Sequence, residues 1–196
     1  MDSTQQRFER EPAKRVFAAE LREAIRTIKD EADEKSPTYI LLPTGERCNR
    51  VLIAGAITDK VKSGDQNVMY RAKVSDPSGM FYINASSYQP EAMLQLAKID
   101  TDIPSFVVVV GKPNAYTTPD GRVLISVRAE SIQTVDRETR DMWVADTAKA
   151  TLKRLETMFG DGWENLPNVK LAREIYPQTA EGWKRIVFES LSKISS

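Results

Sequence analysis

The sequence predicts a mainly β protein, a five-stranded Greek-key barrel with helices on both flanks. Three observations carry that expectation. Between Val51 and Asp136, five strand-like segments and one short helical patch follow the order three strands, helix, two strands. This is the chain order of an OB-fold barrel. The tetrapeptide Asp76-Pro77-Ser78-Gly79 joins the second and third strands, with proline and glycine where a tight β-turn favours them. After the last strand, a stretch free of proline and glycine carries an apolar stripe at helical spacing, which a lone helix cannot leave in water.

Residues 1–11 are polar and expected to be mobile. From Pro12 to Lys29, Val16, Phe17, Leu21, Ile25 and Ile28 fall three to four apart, which predicts an amphipathic helix with Pro12 in its first turn. The run 30–35 reads as a solvated linker. Thr38–Leu42 is a short extended stretch that either adds an edge strand to the barrel or lies across its base. These segments make a lead-in over 1–46, and the barrel follows over 47–135.

In the first barrel strand, Val51, Ile53 and Ile57 share a face, and Gly55 between them suggests a bulge or bend. Tyr70, Ala72 and Val74 share one face of the second strand, with Met69, Arg71 and Lys73 on the other. Phe81 and Ile83 then point inward, leaving Tyr82 and Asn84 outward. A helical patch spans Pro90–Lys98. The fourth strand covers Phe106–Lys112, and Asn114–Gly121 reads as a loop. In the last strand Val123, Ile125 and Val127 face the core, while Arg122, Ser126 and Arg128 face away. Asp136 is a helix N-cap, and the helix runs over 136–159. Glycines at 160 and 162 stop it, and helical patches at Val169–Tyr176 and Thr179–Lys193 form a C-terminal extension over 160–196.

Composition narrows the chemistry. The chain has 196 residues, a formal net charge of zero and 29% charged residues, so any nucleic-acid site must be a local patch. There is no histidine and one cysteine, Cys48. That count leaves no donor set for a structural zinc site and no histidine-based nucleophile pair. Neither a metal nor a cofactor is expected, and Cys48 reads as a small packing residue of a reducing, cytoplasmic compartment. No apolar run approaches the ~20 residues of a membrane helix, and residues 1–7 lack the apolar core of a signal peptide. Asp76 and Glu130 are acids of the type that binds magnesium in an enzyme. However, Asp76 is explained by its turn, and no phosphate-cradling glycine loop is present, so no enzyme is expected.

Several segments together resemble a known family. They are Arg50–Ile57, Tyr70–Gly79, Phe106–Lys112 with Tyr116, and the passage from Ile132-Gln133-Thr134-Val135-Asp136 into Arg140-Asp141-Met142-Trp143-Val144. Over about residues 47–158 the chain resembles the archaeal replication protein A subunits and their associated proteins, of the middle or small subunit type. The opening Arg10–Glu20 is similar as well. The resemblance implies a DNA groove with two aromatic stacking positions, matched here by Tyr88 and Tyr116. Arg71, Lys73, Lys112, Arg122 and Arg128, with Tyr82 on the outward face of the third strand, would line the same groove and neutralise phosphates. Asp59, Asp65, Asp120 and Glu130 lie nearby in sequence, and such acids weaken a groove. The resemblance also implies assembly with other subunits of this type through the post-barrel helix, by Val144, Ala148, Thr151, Leu152, Leu155 and Phe159. The same stripe could instead pack on its own barrel or on the N-terminal helix. Trp143 and Met142 are candidates to plug the barrel's end.

Two functions follow from these readings. The first is a non-catalytic single-stranded DNA-binding subunit of a replication protein A-like complex, acting in replication, repair and recombination, cytoplasmic and nucleoid-associated. The alternative is an OB-fold adaptor that binds partner proteins with little DNA affinity of its own. The roughly thirty-five residues of the tail look too short for the winged-helix module of some middle subunits, and the zinc ribbon of the large subunits is missing.

Overall fold

The computed structural model describes residues 11–29, 36–177 and 179–194. The polar run 1–10 and the linker 30–35 lie outside the described residues. The lead-in contains β1 (Lys14–Arg15), α1 (Ala18–Glu23), β2 (Arg26–Ile28), β3 (Tyr39–Leu41) and β4 (Arg47–Cys48). The barrel contains β5 (Val51–Ser63), β6 (Met69–Asp76), β7 (Gly79–Ser86), α2 (Pro90–Lys98), β8 (Ser105–Thr117) and β9 (Val123–Val135). Then come α3 (Arg137–Phe159), α4 (Pro167–Ile175) and α5 (Ala180–Ser192).

Strands β5 to β9 close an OB-fold barrel. The sheet runs β1-β5-β6-β7-β9-β8, and β8 returns to pair with β5. Strand β5 changes partner along its length. Its first half, Val51–Ile57, pairs with β8, and its second half, Ala56–Ser63, pairs with β6. The register irregularity sits between Ile57 and Asp59, not at Gly55 as expected. Gly55 answers a different demand, because a Cβ there would stand 2.3 Å from the Ser75 carbonyl oxygen. The two strands cross too closely for any side chain. Alternation holds for Val51, Ile53, Ile57, Ala72, Val74, Phe81, Ile83 and Val127, all buried, whereas Val123 and Ile125, expected to face the core, are only half-buried and line a surface cleft.

The lead-in departs from the single helix expected over Pro12–Lys29. Only Ala18–Glu23 is helical. Before it, β1 pairs in parallel with β5 at Lys14↔Val51. After it, β2, β3 and β4 make a separate antiparallel sheet, so Thr38–Leu42 is not a barrel edge strand. Tertiary hydrogen bonds override the helical spacing. The Ala18 and Ala19 N–H groups donate to the Asp76 carboxylate and the Ser78 hydroxyl at 2.8 and 3.0 Å. The Ile25 and Arg26 N–H groups donate to the Tyr176 hydroxyl at 3.1 and 3.3 Å. That hydroxyl in turn donates to the Leu41 carbonyl at 2.8 Å.

Helix α3 begins as expected, with the Asp136 carboxylate accepting the Thr139 N–H at 2.8 Å. This hydrogen bond holds the Asp136 carboxyl below the usual range. The indole of Trp143 meets the ring of Phe17 edge-on at 5.9 Å and donates to the Leu52 carbonyl at 2.9 Å. Trp143 is thus buried against the barrel, whereas Met142 stays exposed. One core joins Val16, Phe17 and Leu21, the barrel strands, α2 and the first half of α3. A smaller cluster of Leu41, Met158, Val169, Ala172 and Tyr176 holds α4, and Trp183 of α5 packs against Ala19 and Leu155.

Candidate nucleic-acid interface

The outer face of the barrel collects most of the outward residues onto one surface. By register, Arg71 of β6 lies opposite Asn84 of β7, Asn84 beside Arg128 of β9, and Arg128 opposite Lys112 of β8. A single row thus crosses four strands and carries three cations. None of the three has an ion-pair partner among the described residues. Each is an exposed residue on a regular strand, so the row follows from the pleat.

Beside this row a groove encloses about 930 Å³ and is lined by Arg71, Lys73, Tyr82, Asn84, Tyr116 and Arg122, with Leu124 and Ser126. Lys73 stands opposite Tyr82, and Tyr116 opposite Leu124. The tyrosines are 54% and 60% exposed. The Asn84 amide donates to the Ser126 hydroxyl at 3.2 Å, which ties β7 to β9 along the groove.

The neighbouring acids do not act alike. Asp59 lines the groove and pairs with Lys73 at 3.1 Å. Asp120 pairs with Arg122 at 2.7 Å, and hydrogen bonds from Thr118 and Arg122 hold its carboxyl below the usual range. Glu130 pairs with Arg50 at 2.7 Å. Two of the five expected cations are therefore neutralised, and the unpaired ones are those of the row.

Several expected positions shift. Asn114–Gly121 is not a loop, because β8 and β9 stay paired out to Thr117↔Val123. Tyr116 is consequently a strand residue held at a fixed register, and Arg122 lies in the turn just before β9. Tyr88 follows β7 at 89% exposure and does not line the groove. Leu124 was not among the expected residues, although it shares the outward parity of Arg122 and Ser126. An outward-facing leucine beside them was the available signal.

The helix stripe also has a different environment from a partner interface. Val144, Ala148, Thr151 and Leu155 are buried within the chain itself. Thr151 donates to the Glu20 carboxylate at 3.2 Å, and Leu155 packs with Ala19 and Trp183. Phe159 is partly buried under the Arg173 guanidinium, 5.4 Å from its ring. Leu152 alone of the six is exposed, at 37%. The packing of Val144, Ala148, Thr151 and Leu155 is satisfied by α1, the barrel and α5, so these four side chains are not presented to a partner helix.

Cys48 is fully buried, and burial pushes its thiol up to about 12. No described helix is long and apolar enough to cross a membrane.

Fold and face together define an OB-fold barrel with a cationic row and a tyrosine-bearing groove on its outer surface. No protein-family model and no curated protein matches the chain. Among solved structures it is similar to an OBody bound to hen egg-white lysozyme, at 16% identity over 45% of this chain and 96% of that one, with a TM-score of 0.38. It is also similar to yeast Stn1 and Ten1, at 8% identity over 56% of this chain and 55% of that one, TM-score 0.43. A third is the N-terminal domain of PriB from Thermoanaerobacter tencongensis, at 17% identity over 45% and 97%, TM-score 0.33.

Proposed function

We infer that this chain is a non-catalytic single-stranded nucleic-acid-binding subunit, with its ligand lying across β6, β7, β9 and β8. The observation that carries this reading is the row Arg71–Asn84–Arg128–Lys112, whose three cations have no ion-pair partner among the described residues and which is flanked by the groove of Tyr82 and Tyr116. Cations spaced across a sheet can follow a phosphate backbone, and exposed rings beside them can stack bases without demanding a sequence. The resemblance to the replication protein A subunits supports DNA as the ligand and a multi-subunit complex as the setting.

Titration of labelled single-stranded DNA at two salt concentrations tests it. Binding that weakens steeply with salt is expected, and no binding at either concentration would overturn the reading. One observation favours the adaptor alternative. The ion pairs Lys73–Asp59 and Arg122–Asp120 neutralise part of the groove, in a chain of zero net charge. Binding that appears only when a second OB-fold subunit is added would favour that alternative.

A further inference from the structure

Strands β7 and β9 are joined over just two residues each, Ile83↔Val127 and Asn84↔Arg128. Toward the start of each strand they part. Gly79–Tyr82 keeps its pairing to β6 on one side, and Val123–Ser126 keeps its pairing to β8. In an antiparallel pair, alternate residues direct N–H and C=O away from the partner. Both four-residue edges therefore carry backbone donors and acceptors toward the gap.

The gap is a cleft of about 400 Å³ with apolar walls from Leu21, Met80, Phe81, Val123, Ile125 and Val127. Its polar side chains are Ser75, Arg22 and Tyr82, and no acid lines it. It shares Tyr82, Leu124 and Ile125 with the groove, so the two adjoin. Met80, Tyr82 and Leu124 are all exposed large side chains, which places apolar surface in water at this junction.

We propose that the cleft between β7 and β9 receives one nucleobase turned out of the strand lying on the groove. The proposal rests on the single-strand-binding reading above. A base presents two apolar faces and a hydrogen-bonding edge, which match apolar walls rimmed by backbone groups. Recognition of single strands commonly splays bases from the stack in this way. A peptide strand fits less well, because each open edge runs for only four residues, shorter than the usual strand of about five to six.

The test uses the full chain and short oligothymidylates carrying one 5-iodouracil, moved position by position, with crosslinked residues identified by mass spectrometry. Crosslinking of one position to Met80 or Phe81 is expected, with other positions reaching Tyr82 or Tyr116. Met80→Trp and, separately, Val123→Phe fill the cleft. Each is expected to weaken binding about tenfold, the effect of losing one well-held base. The loss should vanish when the nucleotide that crosslinks in the cleft is made abasic; a merely structural defect would persist. If the oligonucleotide binds and crosslinks to Tyr82 or Tyr116, but never in the cleft, and both filled variants bind normally, the base-receiving role is overturned while the groove reading stands. The same result joined to protection of Met80 by an extended peptide would assign the edges to a peptide strand. Absence of any oligonucleotide binding would overturn the groove reading and this one with it.

Discussion

Arg154 of α3 holds both carboxylate oxygens of Glu20 of α1 through one nitrogen, Nη2, at 2.9 Å to each. Its Nε adds a contact to Glu20 at 3.2 Å. Glu20 is fully buried and Arg154 is 8% exposed. The same carboxylate accepts from the Phe17 N–H and from the hydroxyls of Thr44 and Thr151. The pair thus joins α1, the turn after β3 and the post-barrel helix.

Removing Arg154 leaves the buried Glu20 charge without its ion-pair partner, and removing Glu20 leaves Arg154 only the outlying Glu46 carboxylate at 3.5 Å. Arg154→Ala or Glu20→Ala is expected to cost about 3–5 kcal/mol of stability. The double variant should cost less than the sum of the two singles. Urea unfolding of the four proteins measures this, and additive losses would contradict the coupling.

The cations of the outer face should separate by their pairing. Replacing Arg71, Lys112 or Arg128 by Ala should lower the salt dependence of single-strand binding by about 0.7 in the log–log slope for each lost phosphate contact. Lys73→Ala and Arg122→Ala should change it less, since Asp59 and Asp120 already neutralise those groups. Salt titrations of the five variants decide it.

The tyrosines should separate by position. Tyr82→Ala and Tyr116→Ala are each expected to weaken binding by about 1–3 kcal/mol, with little change in thermal stability because both rings are exposed. Tyr88→Ala should bind like the native protein. A loss at Tyr88 equal to that at Tyr116 would move the ligand's path.

Asp76 carries a pH signature. Burial raises its carboxyl to about 6, against hydrogen bonds from Ala18, Ser78 and Gly79 that pull it down. The native state then binds more protons than the unfolded state between about pH 4 and 6. The stability that this group contributes is present below about pH 4 and is lost as pH rises through 6, by about 3 kcal/mol in all. Asp76→Asn should flatten that part of the stability–pH curve. An unchanged slope in the variant would show that other groups produce it.

The barrel was legible because alternation and turn chemistry are local signals. Phe81 and Ile83 face inward as their spacing implies, and α2 occupies Pro90–Lys98 as the pattern gives it. The lead-in was not legible. Val16, Phe17, Leu21, Ile25 and Ile28 keep helical spacing, but Asp76, Ser78 and Tyr176 take the backbone N–H groups that a longer helix would use. Those partners lie some 60 to 150 residues away. The groove was legible in part. Outward parity identified Arg71, Lys73 and Tyr82, whereas the alignment of Arg71 with Arg128 and Lys112 depends on inter-strand register, which no single strand encodes. The ambiguity of the α3 stripe had the same origin, because an apolar helix face does not specify what will cover it.

Phe17 and Trp143, which meet at the edge of the barrel, set a limit on its portability. The ring of one comes from before the first barrel strand and the indole of the other from after the last. Cut out at 47 and 135, the barrel would lose both, together with the parallel strand β1. A graft of this binding face onto another chain must therefore carry its two flanks with it, and the three segments should melt as one cooperative unit.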